Sequence, residues 1–116
     1  MRESKSVCRL RIYLSEDAKY KELPIYEEIV VRAQRAKLAG ATVFRGVLGY
    51  SKASELDTRK ILYRSNDVPI VIEILDTEGK LNSFLADLDE LLTGGIATVE
   101  AVGLQRYSYK KALELA

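Results

Sequence analysis

The run Gly40-Ala41-Thr42-Val43-Phe44-Arg45-Gly46-Val47-Leu48-Gly49-Tyr50 and the polar stretch 51–67 after it hold the residues best suited to chemistry. Gly40 suits the left-handed cap that stops a helix, where a Cβ is strained. Gly46 and Gly49 interrupt an otherwise sound strand pattern, and glycine inside a strand marks a bulge or a close approach to the backbone. The strand then leads into a segment that sets Lys52, Arg59, Lys60 and Arg64 against Glu55, Asp57 and Asp67. This is the layout of a scaffold presenting a loop. Residues Lys60 to Arg64 alternate, with Ile61 and Tyr63 on one side, which predicts a hairpin arm. A connection this long in a compact domain is functional or has structure of its own. Lys52, Arg59, Lys60, Tyr63 and Arg64 are therefore candidates for a partner-docking arm, the alternative being a long structured connection between strands. Tyr50 and Tyr63 suit stacking on a base, anchoring an interface or packing within an oligomer.

Other chemistries find little support. There is no histidine among the 116 residues, which excludes histidine triads, histidine-ligated zinc and imidazole acid–base work. The lone Cys8 excludes an intrachain disulfide framework and a multi-cysteine metal site, and a single buried thiol suits a reducing cytoplasm. No GxxxxGK[ST] loop occurs. Glu27 with Glu28, and Asp87 with Asp89 and Glu90, read as solvated helix carboxylates. An acylphosphatase-like enzyme needs an arginine after the first strand, but Ser15-Glu16-Asp17-Ala18-Lys19 is acidic there. We expect no catalysis and no metal. A formal charge of +1 argues against neutralising many nucleic-acid phosphates, although a local basic patch can hold one small anion. An RNA-recognition module would also need aromatics on its central strands, and Val68 to Leu75 has none. No signal-peptide h-region and no apolar run near 20 residues occur, so a soluble chain without membrane insertion is expected.

The elements that must position these residues read β-α-β-(β)-β-α-β in one domain, residues 1–116. Val7 to Leu14 alternates with period two, placing Cys8, Leu10, Ile12 and Leu14 on one face and Val7, Arg9, Arg11 and Tyr13 on the other. A polar loop, Ser15 to Glu22, precedes Pro24 in the first turn of a helix whose Ile25, Ile29, Ala33 and Ala36 recur at helical spacing until Gly40. Ala41 to Leu48 is the second strand and the β-branched Pro69 to Leu75 the next. Asp76 and Thr77 cap a second helix with an apolar stripe of Leu81, Phe84, Leu85, Leu88, Leu91 and Leu92. Gly94-Gly95 ends it before a last strand, Ile96 to Arg106. A short helical turn is expected in the tail from Tyr107 to Ala116.

Two tandem β-α-β units predict a ferredoxin-like α+β sandwich, an antiparallel sheet with both helices on one face. The first strand then lies between the last and the third, so Arg9 and Arg11 pair with Glu100 and Glu73. A face mixing these charges with Val7 and Tyr13 is too apolar for water and too charged for a core. Arg9, Arg11, Tyr13, Glu73 and Glu100 thus read as a subunit interface; the plainer reading is a solvated face with weak ion pairs.

The chain also resembles a known family. The segments LRIYL (10–14), Asp17-Ala18-Lys19-Tyr20, Leu23-Pro24-Ile25-Tyr26-Glu27, LAGATVFRGVLGY (38–50), Val68 to Ile74 and LDELL (88–92) are similar, in order and spacing, to the PII-like family catalogued as domain of unknown function 190. The resemblance covers about residues 7 to 107. It implies a ferredoxin-like fold, a homotrimer with sheets lining its centre, and kinship with PII signalling proteins. Those proteins bind nucleotides in clefts between subunits and grip a target, often a membrane transporter, with a long loop after the second strand. The resemblance further implies a fluoride-exporting channel as a partner.

Carried over by residue, the PII helix–glycine–strand turn resembles Gly40-Ala41-Thr42-Val43, and the glycine-rich base of the target loop resembles Gly46 to Ser51. Glycines there let backbone N–H groups face phosphate oxygens. The phosphate-holding arginines of PII proteins are matched by Arg106. The PII glycine-arginine-glutamine run is replaced by Gly49-Tyr50-Ser51-Lys52, and the glycine-lysine pair before the last strand by Gly94-Gly95. The implied ligand site is Gly46, Gly49, Tyr50, Ser51 and Arg106, with an adenine nucleotide as effector. The expectation is a trimeric cytoplasmic regulator docking through 51–67; the alternative is a ligand-free trimeric adaptor.

Overall fold

The computed structural model describes residues 2–50 and 68–107. Its elements are β1 (Arg2–Ser15), β2 (Lys19–Tyr20), β3 (Leu23–Pro24), α1 (Ile25–Arg35), β4 (Gly40–Arg45), β5 (Pro69–Asp76), α2 (Glu78–Asp87) and β6 (Ile96–Tyr107). The expected hairpin within 51–67 and the helical turn in the tail beyond Tyr107 lie outside the described residues.

The period-two pattern of β1 and β5 decides the architecture. β1 and β5 pair antiparallel with Leu10 opposite Ile74 and Ile12 opposite Ile72, so their apolar sets share one face. Ile25, Ile29 and Ala33 of α1 and Leu81 and Phe84 of α2 join that face in a single core cluster. Fully burying each such aliphatic side chain is worth about 1.5–3 kcal/mol. The sheet order is β4-β5-β1-β6, every pairing antiparallel. This is the ferredoxin-like α+β sandwich, with β1 between β5 and β6.

Four boundaries before β5 differ from the sequence reading, and α2 stops at Asp87 instead of running on to Gly94-Gly95. β1 begins at Arg2 rather than Val7, because Arg2 to Ser6 pair with Gly103 to Tyr107 as a two-stranded ribbon beyond β5. The expected polar loop after β1 contains the hairpin β2–β3, in which Tyr20 pairs with Leu23. Its two turn residues, Lys21 (φ 50°) and Glu22 (φ 70°), are both left-handed, as the two-residue turn matched to strand twist requires. β4 stops at Arg45, short of the expected Leu48.

The end of α1 is the fourth. Gly40 does not cap the helix; Lys37 does, at φ 59°. Leu38 N–H donates to Ala33 O (3.1 Å) and Lys37 N–H to Gln34 O (3.0 Å), the paired 6→1 and 5→2 bonds of a Schellman cap. Leu38 packs on the core beside it, so burial of Leu38 fixes the stop three residues before Gly40. A lysine in a position that glycine adopts without strain gives an expected result. Lys37→Gly raises stability by about 0.5–1 kcal/mol, read as a higher urea midpoint at unchanged slope. A lower midpoint would mean that the lysine side chain contributes more than its backbone strain removes.

Polar contacts brace the helix layer. Buried Asp76 accepts from Ala39 N–H (3.0 Å) and Thr77 N–H (2.6 Å), tying the α1–β4 turn to the start of α2. Thr77 caps α2 by accepting from Lys80 N–H. Arg32 donates to Glu28 and Asp87 O (both 3.3 Å) and to Glu90 (3.4 Å), linking α1 to the end of α2. Glu28 and Glu90, expected as merely solvated, are thus partners of one guanidinium.

Candidate functional site

The end of the sheet where β1 and β4 stop and β5 and β6 begin gathers most of the unusual residues. Gly46 N–H donates to Pro69 O at 2.7 Å, closing the root of the 51–67 segment. A Cβ on Gly46 would stand 2.7 Å from Pro69 Cγ, and one on Gly49 3.3 Å from it. Both glycines therefore let the outgoing chain pass over the proline ring of the returning strand, a close approach that a side chain at Gly46 would block and one at Gly49 would crowd. Neither has a positive φ. Between and after them Val47 (87%), Leu48 (64%) and Tyr50 (68%) are exposed, so the root turns three apolar side chains outward. Ser51 and the arm residues Lys52, Arg59, Lys60, Tyr63 and Arg64 lie outside the described residues.

Two residues that the sequence reading did not single out hold this root. Arg45 and Glu16 form an ion pair, Arg45 more than half exposed and Glu16 largely covered. Since β5 lies between β4 and β1, the pair reaches across β5. Glu16 N–H also donates to Val68 O at 2.9 Å, so one residue touches the segment's outgoing and returning ends. Register offered the signal: Ala41, Val43 and Arg45 share the helix-side face, and a charge on the core face of a strand calls for a partner.

Gly94-Gly95 lies at the same end. Gly95 sits at φ 109°, and a Cβ there would meet Tyr13 O and Leu14 Cδ2, each at 2.9 Å. The glycine pair lines a recess of about 260 Å³ with Thr93, Ile12 and Ala97. Arg106 lies elsewhere. It pairs in register with Glu3, whereas Pro69 pairs with Ser15 at the other end of β1. Twelve residue steps of β1 at about 3.3 Å each separate them by roughly 40 Å. Within one chain the glycine root and Arg106 do not meet.

The sheet face away from the helices carries the expected charge pairs. Arg9 pairs with Glu100, its register partner, and Arg11 Nε donates to Glu73 at 3.1 Å. The hydrogen bond from Arg9 holds the Glu100 carboxyl below the ordinary carboxylate range. Next to this band, Phe44, Val71, Tyr13 and Ile96 align in register as an apolar row across all four strands. Phe44, Val71 and Tyr13 with Arg11 and Glu73 line a shallow recess of about 290 Å³. Among the described residues no helix covers this face, and β4 and β6 are sheet edges. Among those residues, too, no group of three acidic or thiol side chains is placed to hold a metal, and no helix is long and apolar enough to cross a membrane.

Known proteins resemble this chain in sequence or in fold. A UPF0166 protein of Aquifex aeolicus is 38% identical over 93 residues, 80% of this chain and 88% of that protein. Among solved structures, apo CPII of Thiomonas intermedia K12, a nitrogen regulatory PII-like protein, superposes with a TM-score of 0.62 at 16% identity, covering 92% of this chain and all of CPII. CPII bound to ADP, AMP and bicarbonate gives 0.60 at 16% identity, covering 94% of this chain and 95% of that one. At that identity the likeness establishes a PII-like fold. The family DUF190, described as "Uncharacterized ACR, COG1993", matches residues 7–104, so the chain belongs to that family.

Proposed function

We propose that this chain is a PII-like regulator that assembles as a homotrimer and takes an adenine nucleotide in the cleft between subunits. Residues 51–67 then dock on a target protein, a class that includes membrane channels and transporters. In this reading the chain works in the cytoplasm, where adenine nucleotides are available as signals, and catalyses nothing. The observation that carries it is the placement of the glycine root and Arg106 at opposite ends of one sheet, in the fold in which CPII was solved with ADP and AMP. A site using Gly46, Gly49, Tyr50 and Ser51 of one protomer must draw Arg106 from the next. The open sheet face favours such an assembly. Its charges are already paired within the chain, so burying Arg9, Arg11, Tyr13, Glu73 and Glu100 strands no lone charge.

The test is thermal unfolding against ADP, AMP, ATP, cyclic AMP, phosphate and fluoride, with the mass measured by light scattering. A nucleotide at 100 times its dissociation constant adds about 2.7 kcal/mol to a folded state that alone binds it. We expect that shift with an adenine nucleotide and its loss in Arg106→Ala. A trimer with a flat panel would instead favour the ligand-free adaptor. A monomer at micromolar concentration would remove the cleft altogether.

A further inference from the structure

We infer that β6 is a self-pairing edge, along which two copies of this chain join antiparallel about an axis at Gly103. The inference goes beyond the nucleotide reading and does not rest on it. β6 runs from Ile96 to Tyr107 and, among the described residues, pairs with β1 alone. Its other edge therefore presents a row of backbone donors and acceptors to a further strand. Edge strands are ordinarily blunted by lysine, proline or a bulge. β6 holds neither residue, and its register with β1 runs unbroken from Tyr13 opposite Ile96 to Arg2 opposite Tyr107. Its helix-side face is bare as well. Val99 and Ala101 lie opposite the core residues Leu10 and Cys8, yet both are exposed, because α1 and α2 pack chiefly over β4, β5 and β1.

The charges of the strand select a second copy as its partner. Glu100 and Arg106 are the charged residues of β6, and their even spacing puts both on the open face. Two antiparallel copies bring Glu100 opposite the partner's Arg106 in one register, that with Gly103 opposite itself. The same register sets Val102 against the partner's Leu104 and exposed Val99 against the partner's exposed Tyr107. Opposite charges and apolar–aromatic pairs directly across two strands are favourable, and the twofold axis repeats each of them. Glu100 keeps its bonds from Arg9, which use Oε1, because a carboxylate accepts on both oxygens. Arg106 likewise keeps its contact within the chain; a guanidinium has five donors, and Arg32 here serves Glu28, Asp87 O and Glu90 at once. At the axis, a Cβ on Gly103 would meet nothing within 4 Å beyond its chain neighbours. Pairing runs in the plane of the sheet, so the open face stays uncovered. The stretch from Val99 to Tyr107 is short against the about 1,200 Å² or more of a stable interface. Dilute chains therefore stay apart, and the contact is a transient one.

A transient contact is best captured by a covalent trap. Gly103→Cys puts a thiol on the axis facing its own copy, within the Cα separation that a disulfide spans. Ala97→Cys, exposed on the same face, has no such counterpart in this register. Under mild oxidation, Gly103→Cys should form linked pairs of chains on a non-reducing gel about tenfold faster than Ala97→Cys. The wild type, whose one thiol is the buried Cys8, should form none. The charge pairing is tested by adding Glu100→Arg to one sample of Gly103→Cys and Arg106→Glu to another, each shown to be folded by circular dichroism. Alone, each presents like charges across the axis and should link about three- to tenfold more slowly than Gly103→Cys. Mixed, the two present opposite charges and should link to each other at the faster rate, while every effect within a chain is the same as before mixing. Linking as slow at Gly103 as at Ala97, or a mixture no faster than its components, overturns the pairing. Neither result touches the nucleotide reading, since no ligand is present.

Discussion

Val71→Arg is expected to convert the proposed trimer to single chains while leaving each chain folded. Val71 is half-buried on the open face of β5, with Phe44 and Tyr13 opposite it on the two neighbouring strands. In an isolated protomer a new arginine there keeps its guanidinium in water, and the loss of stability stays near the ±0.5 kcal/mol of an ordinary surface change. In an assembly built on this face the same group is buried without a partner. Glu73 is already engaged by Arg11, which adds a like charge nearby. An unpaired charge in a desolvated contact costs about 3–5 kcal/mol, and each copy in a closed ring carries one. Light scattering should fall to the mass of one chain, with an unaltered far-ultraviolet spectrum. The stabilisation expected with ADP should vanish as well, because the proposed cleft needs two protomers. A variant that stays trimeric would put the subunit contact on some other surface, and the apolar row through Phe44, Val71, Tyr13 and Ile96 would need another explanation.

What the sequence disclosed and what it hid follow from the range of the interactions involved. The period-two runs of β1 and β5 and the leucine stripe of α2 are local patterns, and they gave the α+β sandwich, the central place of β1 and the pairs Arg9–Glu100 and Arg11–Glu73. Cross-strand partners become predictable once topology and register are known. The end of α1 was misread because Gly40 is the residue type that a helix stop prefers, whereas burial of Leu38 set the stop at Lys37. The β2–β3 hairpin escaped because its turn residues are Lys21 and Glu22 rather than the Asn-Gly or Asp-Gly that advertise such turns.

The candidate site was legible only in part. Gly46 and Gly49 announced a close approach, but the approaching group is Pro69, on the far side of the 51–67 segment. No local pattern carries that information. The Arg45–Glu16 pair is equally non-local, though a charged residue at the core-side end of β4 was a usable clue. Gly94-Gly95 read as the stop of the second helix, but α2 already ends at Asp87, and the glycine turn instead packs against Tyr13 and Leu14 and lines a recess at the same end of the sheet. Arg106 was assigned by likeness to PII proteins, and its distance from the root in one chain makes that assignment a statement about two chains. The site and the oligomer therefore stand or fall together, which is why mass and ligand response need to be measured on the same samples.

The neighbour of Val71 gives the opposite expected result. Ile72→Ala should lower stability by about 3–4 kcal/mol, within the 2–5 kcal/mol seen when large aliphatic side chains are truncated in cores. Ile72 is fully buried, lies opposite Ile12 on β1 and Val43 on β4, and belongs to the cluster under both helices. The void left beneath α1 and α2 cannot close without moving a strand that is paired on both sides. Domains of this size are stable by about 5–15 kcal/mol in total, so the change removes a large part of the margin, and the melting temperature should fall by roughly 10–20 °C. The measurement is chemical denaturation at fixed protomer concentration, since assembly contributes to apparent stability. Val71→Ala, one residue away on the other face, should unfold with nearly the wild-type profile once the protein is dilute enough to be monomeric. If the alanine at 72 proved mild and the alanine at 71 severe in the single chain, the faces of β5 would be reversed. The helix layer, the open face and the proposed trimer contact would then have to exchange places.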